Sequence, residues 1–171
     1  MKANNIPLLL IMVLFFLASC ESEKSSTTSD DNSTEAHTEI QYDSAKAVEY
    51  NADEYGMRKY VMAFLYRGPN RDLDSSESAE LQRAHLANIM RMSEEGTLIL
   101  AGPFFDDQDL RGIYIFAVDS KEEAQKLTST DPAIQAGSLR MELREWYGSA
   151  ALMGLKDIHA SLTKTAIVEH E

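Results

Sequence analysis

One histidine lies where an amphipathic helix would bury it, between residues 81 and 92. At 100° per residue, Leu81, His85, Ile89 and Met92 fall within one apolar stripe, and charged side chains occupy the opposite side. Histidine ordinarily exchanges a proton near neutral pH, so an inward-facing imidazole is a candidate acid/base group. A packed histidine with no chemical role is the alternative that the sequence leaves open.

The segments around this helix predict an α+β domain. Runs of apolar residues, capping residues and glycine or proline stops divide the chain into strands at 59–67, 97–101, 113–118 and 139–147, helices at 75–95 and 120–129, and a short helical turn after Asp131. The resulting order, βαββαβ, is the split-βαβ or ferredoxin-like arrangement.

One face of this predicted sheet needs a further cover. Two helices cover only one face of four strands, yet the first and third strands are apolar on both faces. The sheet of a second subunit is the cover that we favour, and it would give a symmetric homodimer. A C-terminal helix is the alternative, with an apolar stripe formed by Ala151, Leu155, Ile158 and Leu162.

Several ordered motifs resemble the YCII-related (YciI-like) family. They are Ala84-His85-Leu86, the run GTLILAGP at 96–103, Asp131-Pro132 and Ala136-Gly137, and the likeness spans about 57–147. The resemblance implies a dimeric α+β barrel in which a histidine and an aspartate face a shared pocket. One branch of this family performs dehydrochlorination of a hydroxyquinol, and the wider superfamily includes muconolactone isomerase.

The resemblance assigns the family's histidine to His85, its aspartate to Asp131, and its Gly-Pro pair to Gly102 and Pro103. If His85 and Asp131 meet, the carboxylate would fix the imidazole tautomer and leave the other ring nitrogen free to exchange a proton. Such a pair suits isomerisation or elimination. Asp131 before Pro132 is also a good N-cap, and one carboxylate can do both jobs. Gly102 and Pro103 are expected in a turn, where glycine permits close approach of a ligand.

Two arginines complete the candidate site. Arg140 and Arg144 lie on one face of the predicted last strand, where they would clamp a substrate carboxylate, or else pair with acids or solvent. No two histidines share metal-ligand spacing, and the sequence predicts neither a metal nor another cofactor. The expected ligand is therefore a small molecule of unassigned identity.

The N-terminal segment predicts export. An apolar run from Leu8 to Ala18 is shorter than the ~20 residues that a membrane-spanning helix needs, and it has the form of a secretory signal. Leu17-Ala18-Ser19-Cys20 resembles a bacterial lipoprotein signal, in which Cys20 carries the lipid. Cys20 is the only cysteine, which fits lipidation better than a disulfide. An ordinary signal peptide ending at a cysteine is the alternative. Inner-membrane lipoproteins of enteric bacteria typically carry Asp after the anchor, and by that resemblance Glu21 favours sorting to the outer membrane.

The chain is therefore expected to comprise a signal peptide (1–19), a lipid-anchored cysteine with a disordered acidic tether (20–56), a YCII-like domain (57–148) and a C-terminal helical extension (149–171). Its net charge of −12 disfavours nucleic acid as a partner. Two functions remain open: a small-molecule lyase or isomerase of the cell envelope, and a non-catalytic tethered dimeric module that binds a ligand or an envelope protein.

Overall fold

The helices and strands follow the predicted order in a computed structural model that describes residues 40–165. They are α1 (Ser44–Glu49), β1 (Met57–Arg67), α2 (Ser75–Glu94), β2 (Leu98–Pro103), β3 (Leu110–Phe116), α3 (Lys121–Thr128), α4 (Pro132–Gln135), β4 (Leu139–Ser149), a 3-10 helix (Ala150–Gly154) and α5 (Leu155–Leu162). The predicted signal peptide, Cys20 and the first part of the tether lie outside the described residues.

The four strands form one sheet in the order β2-β3-β1-β4, and every neighbouring pair is antiparallel. β1 lies between β3 and β4, so Val61 faces Phe116 on one side and Glu145 on the other. Because α2 connects β1 to β2 across β3, and α3 with α4 connects β3 to β4 across β1, this is the split-βαβ arrangement. The predicted ferredoxin-like α+β fold is confirmed.

The hydrophobic core lies between the helices and one face of the sheet. It contains Tyr114 and Phe116 on β3, Met92 on α2, and the inward-facing residues of β1, namely Val61, Ala63 and Leu65. On α2 the predicted apolar stripe is buried or half-buried, and His85 lies in the middle of it. The core therefore fixes the side of the sheet on which His85 stands.

The opposite face of the sheet carries half-buried apolar side chains, and α2, α3 and α4 lie on the other side. Met62, Phe64 and Tyr66 on β1 alternate with the core residues and point to this second face. The guanidinium of Arg140 lies 4.3 Å from the centre of the Tyr66 ring, and that of Arg144 lies 5.6 Å from the centre of the Phe64 ring. Arginines of β4 thus cover part of an apolar surface.

Ordered chain begins earlier than the expected end of the tether at residue 56. The unit that contains the sheet begins at Gln41, and α1 follows, with the side chain of Asp43 accepting the Lys46 N–H. Asp53 then accepts the Tyr55 and Met57 N–H groups and the Tyr147 hydroxyl. The predicted disorder is therefore wrong for this part, because local caps and a contact with β4 outweigh its polar composition.

The expected C-terminal helix is present as α5, preceded by the 3-10 helix. The Lys156 ammonium donates to the carbonyls of Ser93 and Glu94 at 3.2 and 3.4 Å, where the last carbonyls of α2 need partners. Leu155 is half-buried, but Ile158 and Leu162 are exposed. The predicted stripe is thus only partly covered. Across residues 40–165, no helix combines the length and the apolar character needed to cross a membrane.

Candidate active site

His85 lies on α2, and capping interactions fix the residue at which this helix begins. Asp74 accepts the Ser76 and Glu77 N–H groups at 2.8 and 2.9 Å, and the Glu77 carboxylate accepts the Asp74 N–H in return. This is the capping box predicted from the sequence. From that start, the helical period turns His85 inward, and only 8% of the residue is exposed.

Asp131 lies against the imidazole and is completely buried. His85 Nδ1 is 2.8 and 2.9 Å from the two carboxylate oxygens of Asp131. The same carboxylate accepts the Ala133 N–H at 2.9 Å and thereby caps α4. The capping role and the pairing role therefore coexist in one side chain.

Tyr114 completes the cluster, and the sequence analysis did not identify it. Its hydroxyl lies 3.3 Å from His85 Nε2, and only 2% of the residue is exposed. Burial raises the pKa of the Tyr114 hydroxyl well above its usual range, and the negative charge of Asp131 raises it further. The phenol therefore stays protonated and acts as a hydrogen-bond donor at neutral pH.

The two contacts of the ring determine which tautomer is present when His85 is neutral. A carboxylate can only accept hydrogen bonds. Nδ1 therefore carries the ring proton, and the Nδ1–H group donates a hydrogen bond to Asp131. Nε2 then has the free electron pair and accepts the Tyr114 hydroxyl. The nitrogen on the Tyr114 side is therefore the one able to take a proton.

The raised pKa of Tyr114 predicts how stability changes in alkaline solution. Above pH ~10 the unfolded chain loses the phenolic proton while the folded chain keeps it, so the free energy of unfolding falls as pH rises. One such group contributes up to about 1.4 kcal/mol per pH unit. Denaturant titrations between pH 8 and 11 should show a shallower decline in Tyr114→Phe. An unchanged slope in the variant would contradict this prediction.

A second set of polar contacts ties α2 to the segment that carries Asp131. The side-chain oxygen of Asn88, one helical turn after His85, accepts the Thr130 hydroxyl at 3.0 Å and an Arg91 N–H at 2.9 Å. Arg91 also donates to the Thr130 hydroxyl at 3.0 Å. These bonds link the helix of His85 to the residue that immediately precedes Asp131.

A cavity of about 570 Å³ opens beside His85 at one end of the sheet, where β1 and β2 end and β3 and β4 begin. Gly102 and Pro103 line it, as do His85 and Tyr114. Both residues of the Gly-Pro pair belong to β2 and not to the expected turn, since Gly102 pairs with Ile113 and Pro103 with Gly112. The pairing between β2 and β3 thus continues through Gly102 and Pro103 to the rim of the cavity.

Arg140 and Arg144 are not among the residues that line this cavity, and of the two roles expected for them the structure shows the pairing with acids and not a substrate clamp. Both lie on the face of the sheet opposite to His85, where Arg140 pairs with Asp109 at 2.8 Å and Arg144 pairs with Glu142 at 2.6 Å. The alternation of β4 explains this, because its odd-numbered residues 139, 141 and 143 pack under the helices.

Other arginines, which the sequence analysis did not identify, line the cavity instead. Arg67 ends β1, Arg71 lies in the loop before α2, and Arg111 lies near the start of β3. No local motif marks them, since the loop and the strand pairing bring them together. Within residues 40–165, no cluster of three or more histidine, cysteine or acidic side chains has the arrangement of a metal site.

Comparison with known proteins assigns the domain. Residues 57–147 match the YCII-related domain. The uncharacterized protein YjpA of Bacillus subtilis (strain 168) is 34% identical over 62 residues, which cover 36% of this chain and 71% of YjpA.

A likeness of lower identity is found among solved structures. It is to 5-chloro-2-hydroxyhydroquinone dehydrochlorinase (TftG) from Burkholderia phenoliruptrix AC1100 in complex with 2,5-dihydroxybenzoquinone, with 22% identity and a TM-score of 0.37. The alignment covers 52% of this chain and 93% of that structure. The match to the YCII-related domain extends over more than half of the chain, and the chain therefore belongs to the YCII-related family.

Proposed function

We propose that this domain is a small-molecule enzyme of the lyase or isomerase type, in which His85 transfers the proton. One observation carries the proposal: a buried carboxylate binds His85 Nδ1 at 2.8 Å while the ring borders a cavity. A carboxylate that fixes one ring nitrogen prepares the other for proton exchange, which is the arrangement general acid/base catalysis needs.

The proposed reaction begins with a carbon acid. Nε2 of His85 takes a proton from a carbon beside a carbonyl group, and the electron pair of that C–H bond moves into an enolate. In this step the Tyr114 hydroxyl, which also lines the cavity, gives up its hydrogen bond to Nε2 and donates instead to the enolate oxygen. In an elimination the enolate then expels a leaving group on the adjacent carbon. In an isomerisation His85 returns the proton to a different carbon.

The tautomer of His85 tests this proposal without a known substrate. Long-range ¹H–¹⁵N spectra distinguish protonated from unprotonated ring nitrogens, and His85→Gln identifies the signals among the four histidines. We expect the neutral ring to carry its proton on Nδ1 and not on Nε2, and to become a mixture of tautomers in Asp131→Asn. A neutral ring protonated at Nε2 in the unaltered chain would contradict the proposed base.

A non-catalytic binding module is the second candidate. The hydrogen bond from Tyr114 favours it, because both ring nitrogens then have partners within the protein and the imidazole is satisfied as a packed side chain. In that case the cavity binds a ligand whose affinity does not depend on proton transfer. His85→Gln would then leave ligand affinity largely unchanged.

We also propose that the domain forms a symmetric homodimer through the uncovered face of its sheet. Half-buried Met62, Phe64 and Ile113 form an apolar row there, and a second copy of the same face would bury it. Light scattering after size-exclusion chromatography should give twice the chain mass, and Phe64→Glu should give a monomer. A monomer at every concentration of the unaltered chain would contradict the dimer.

We further propose attachment to the bacterial outer membrane through a lipid on Cys20. The support is sequence alone, namely the apolar run from Leu8 to Ala18 followed directly by Ser19-Cys20. In bacteria fed labelled palmitate, the unaltered chain should take up label and enter the outer-membrane fraction. Cys20→Ser should do neither, and equal labelling of both would contradict the anchor.

A further inference from the structure

The cavity beside His85 has two chemically different parts. Leu65, Leu86 and Ile89 form the apolar part of the lining, and Arg67, Arg71 and Arg111, at two strand ends and in the loop before α2, form the charged part. One acidic residue, Asp107, also lines the cavity among the described residues. In a chain with a net charge of −12, this is a local concentration of positive charge around the candidate catalytic group.

Two of the arginines are held in place by the loop between β2 and β3. Arg67 donates to the Asp107 and Gln108 carbonyls at 3.0 and 3.3 Å, and Arg111 donates to the Asp106 and Gln108 carbonyls at 2.8 and 3.2 Å. The Asp107 side chain contacts both guanidinium groups but is 95% exposed. An exposed carboxylate offsets little of their charge, because water screens it.

Arg71 differs from the other two because its loop is fixed and its guanidinium is not. The preceding residue, Asn70, donates its backbone N–H to Gly137 and its side-chain amide to Ala136, both at 3.0 Å. The Gly68 N–H donates to the Ser138 carbonyl at 2.8 Å. Within residues 40–165, Arg71 has no salt-bridge partner. The loop therefore brings to the cavity a guanidinium that has no salt bridge within this part of the chain.

We infer that the ligand of this site is a small organic carboxylate with an apolar body. Its carboxylate binds Arg71, supported by the charges of Arg67 and Arg111, and its apolar part packs on Leu65 and Leu86. The inference rests on the proposed function for the reaction, and it adds the substrate class. A volume of about 570 Å³ lies within the range that single small molecules occupy in proteins.

The charge of the whole chain strengthens this inference. A surface with strong net negative charge repels small anions, so a site for a neutral substrate gains nothing from three arginines. A site for an anion needs them both to attract the ligand and to replace its hydration when it enters the cavity. The arginines therefore favour a negatively charged ligand, and the apolar lining limits the size of its apolar part.

The test compares three carboxylates with their neutral amides on the purified full chain. Benzoate, phenylacetate and levulinate are titrated by calorimetry beside benzamide, phenylacetamide and levulinamide, and the ring signals of His85 report whether the bound molecule enters the cavity. We expect at least one acid to bind at least about ten-fold more tightly than its amide and to shift the His85 signals.

Arg71→Gln should lower the binding affinity for that acid by about ten-fold or more, since the substitution removes one charge-assisted contact. Arg83→Gln is the matched control, because Arg83 is exposed on the outer side of α2 and its loss changes the net charge equally. Equal binding of every acid and amide, or equal effects of the two variants, would overturn the inference. The tautomer of His85 is measured separately. A failure of the anion-site inference therefore does not contradict the proposed role of His85 as the base.

Discussion

Replacing His85 by glutamine should lower kcat of the proposed lyase or isomerase reaction by about 10²–10⁴-fold. The imidazole is the group that we assign to proton transfer, and a glutamine amide cannot take up a proton at neutral pH. Turnover is followed as release of the leaving group or as loss of the substrate's absorbance. The fold should survive, as judged by an unchanged circular dichroism spectrum.

Glutamine is a better replacement than alanine because of the environment of Asp131. The Asp131 carboxylate is completely buried, and His85→Ala would leave it with the Ala133 N–H as its remaining partner among the contacts described above. An uncompensated buried charge costs several kcal/mol, and that loss of stability would mimic a loss of activity. The glutamine amide can still donate a hydrogen bond to the carboxylate.

Arg83→Gln serves as the control for this measurement also, since it alters the same helix on its exposed side. Its kcat should remain within about two-fold of the unaltered chain. If His85→Gln also stays within a few-fold while remaining folded, the imidazole performs no chemistry in the rate-limiting step. The domain would then be better described as a binding module.

Much of the geometry of His85 could be predicted because it depends on local rules. The helical period placed Leu81, His85 and Met92 on one face, and the residue types at Asp74 and Glu77 fixed where the helix begins. Both rules act over one or two turns of chain. The tertiary structure did not need to be known for either.

The second partner of the ring, Tyr114, depends on strand register, which the sequence does not reveal. Tyr114 lies in an apolar run of β3 and shares its inward face with Phe116, so alternation alone identifies it as a core residue. Its hydroxyl meets His85 because β3 pairs with β1 in one register, with Ala63 opposite Tyr114. A shift of one residue would turn the phenol to the other face of the sheet.

For Arg140 and Arg144 the alternation of β4 already decided between the two expected roles, a substrate clamp and pairing with acids. Met141 and Leu143 are apolar and pack under the helices, so the arginines between and beside them must face the other way. His85 lies on the helical side of the sheet. A substrate at His85 is therefore separated from both arginines by the sheet itself.

Replacing Asp131 by alanine should lower the free energy of unfolding by about 2–4 kcal/mol. The change removes the N-cap of α4, which contributes about 1 kcal/mol, and leaves the buried Nδ1–H of His85 without its acceptor, which costs about 1–3 kcal/mol. Denaturant titration at pH 7 measures the difference. Asp131→Asn should cost less, since an amide oxygen still accepts a hydrogen bond.

Ser120→Ala provides the matched control, because the Ser120 hydroxyl caps α3 by accepting the Glu123 N–H and has no contact with His85 among its hydrogen bonds described here. Ser120→Ala should lower the free energy of unfolding by only about 1 kcal/mol, the usual contribution of an N-cap. Equal costs for Ser120→Ala and Asp131→Ala would mean that Asp131 acts as a cap alone.

A double-mutant cycle separates the two roles of Asp131. In a chain that already carries His85→Ala, Asp131→Ala should lower the free energy of unfolding by no more than the contribution of the N-cap, because the imidazole partner of Asp131 is absent. The difference between this cost and the cost in the unaltered chain is the coupling energy of the pair. A coupling above about 1 kcal/mol is expected for two buried groups 2.8 Å apart. The same contact would then both stabilise the fold and hold the imidazole in the tautomer that proton transfer requires.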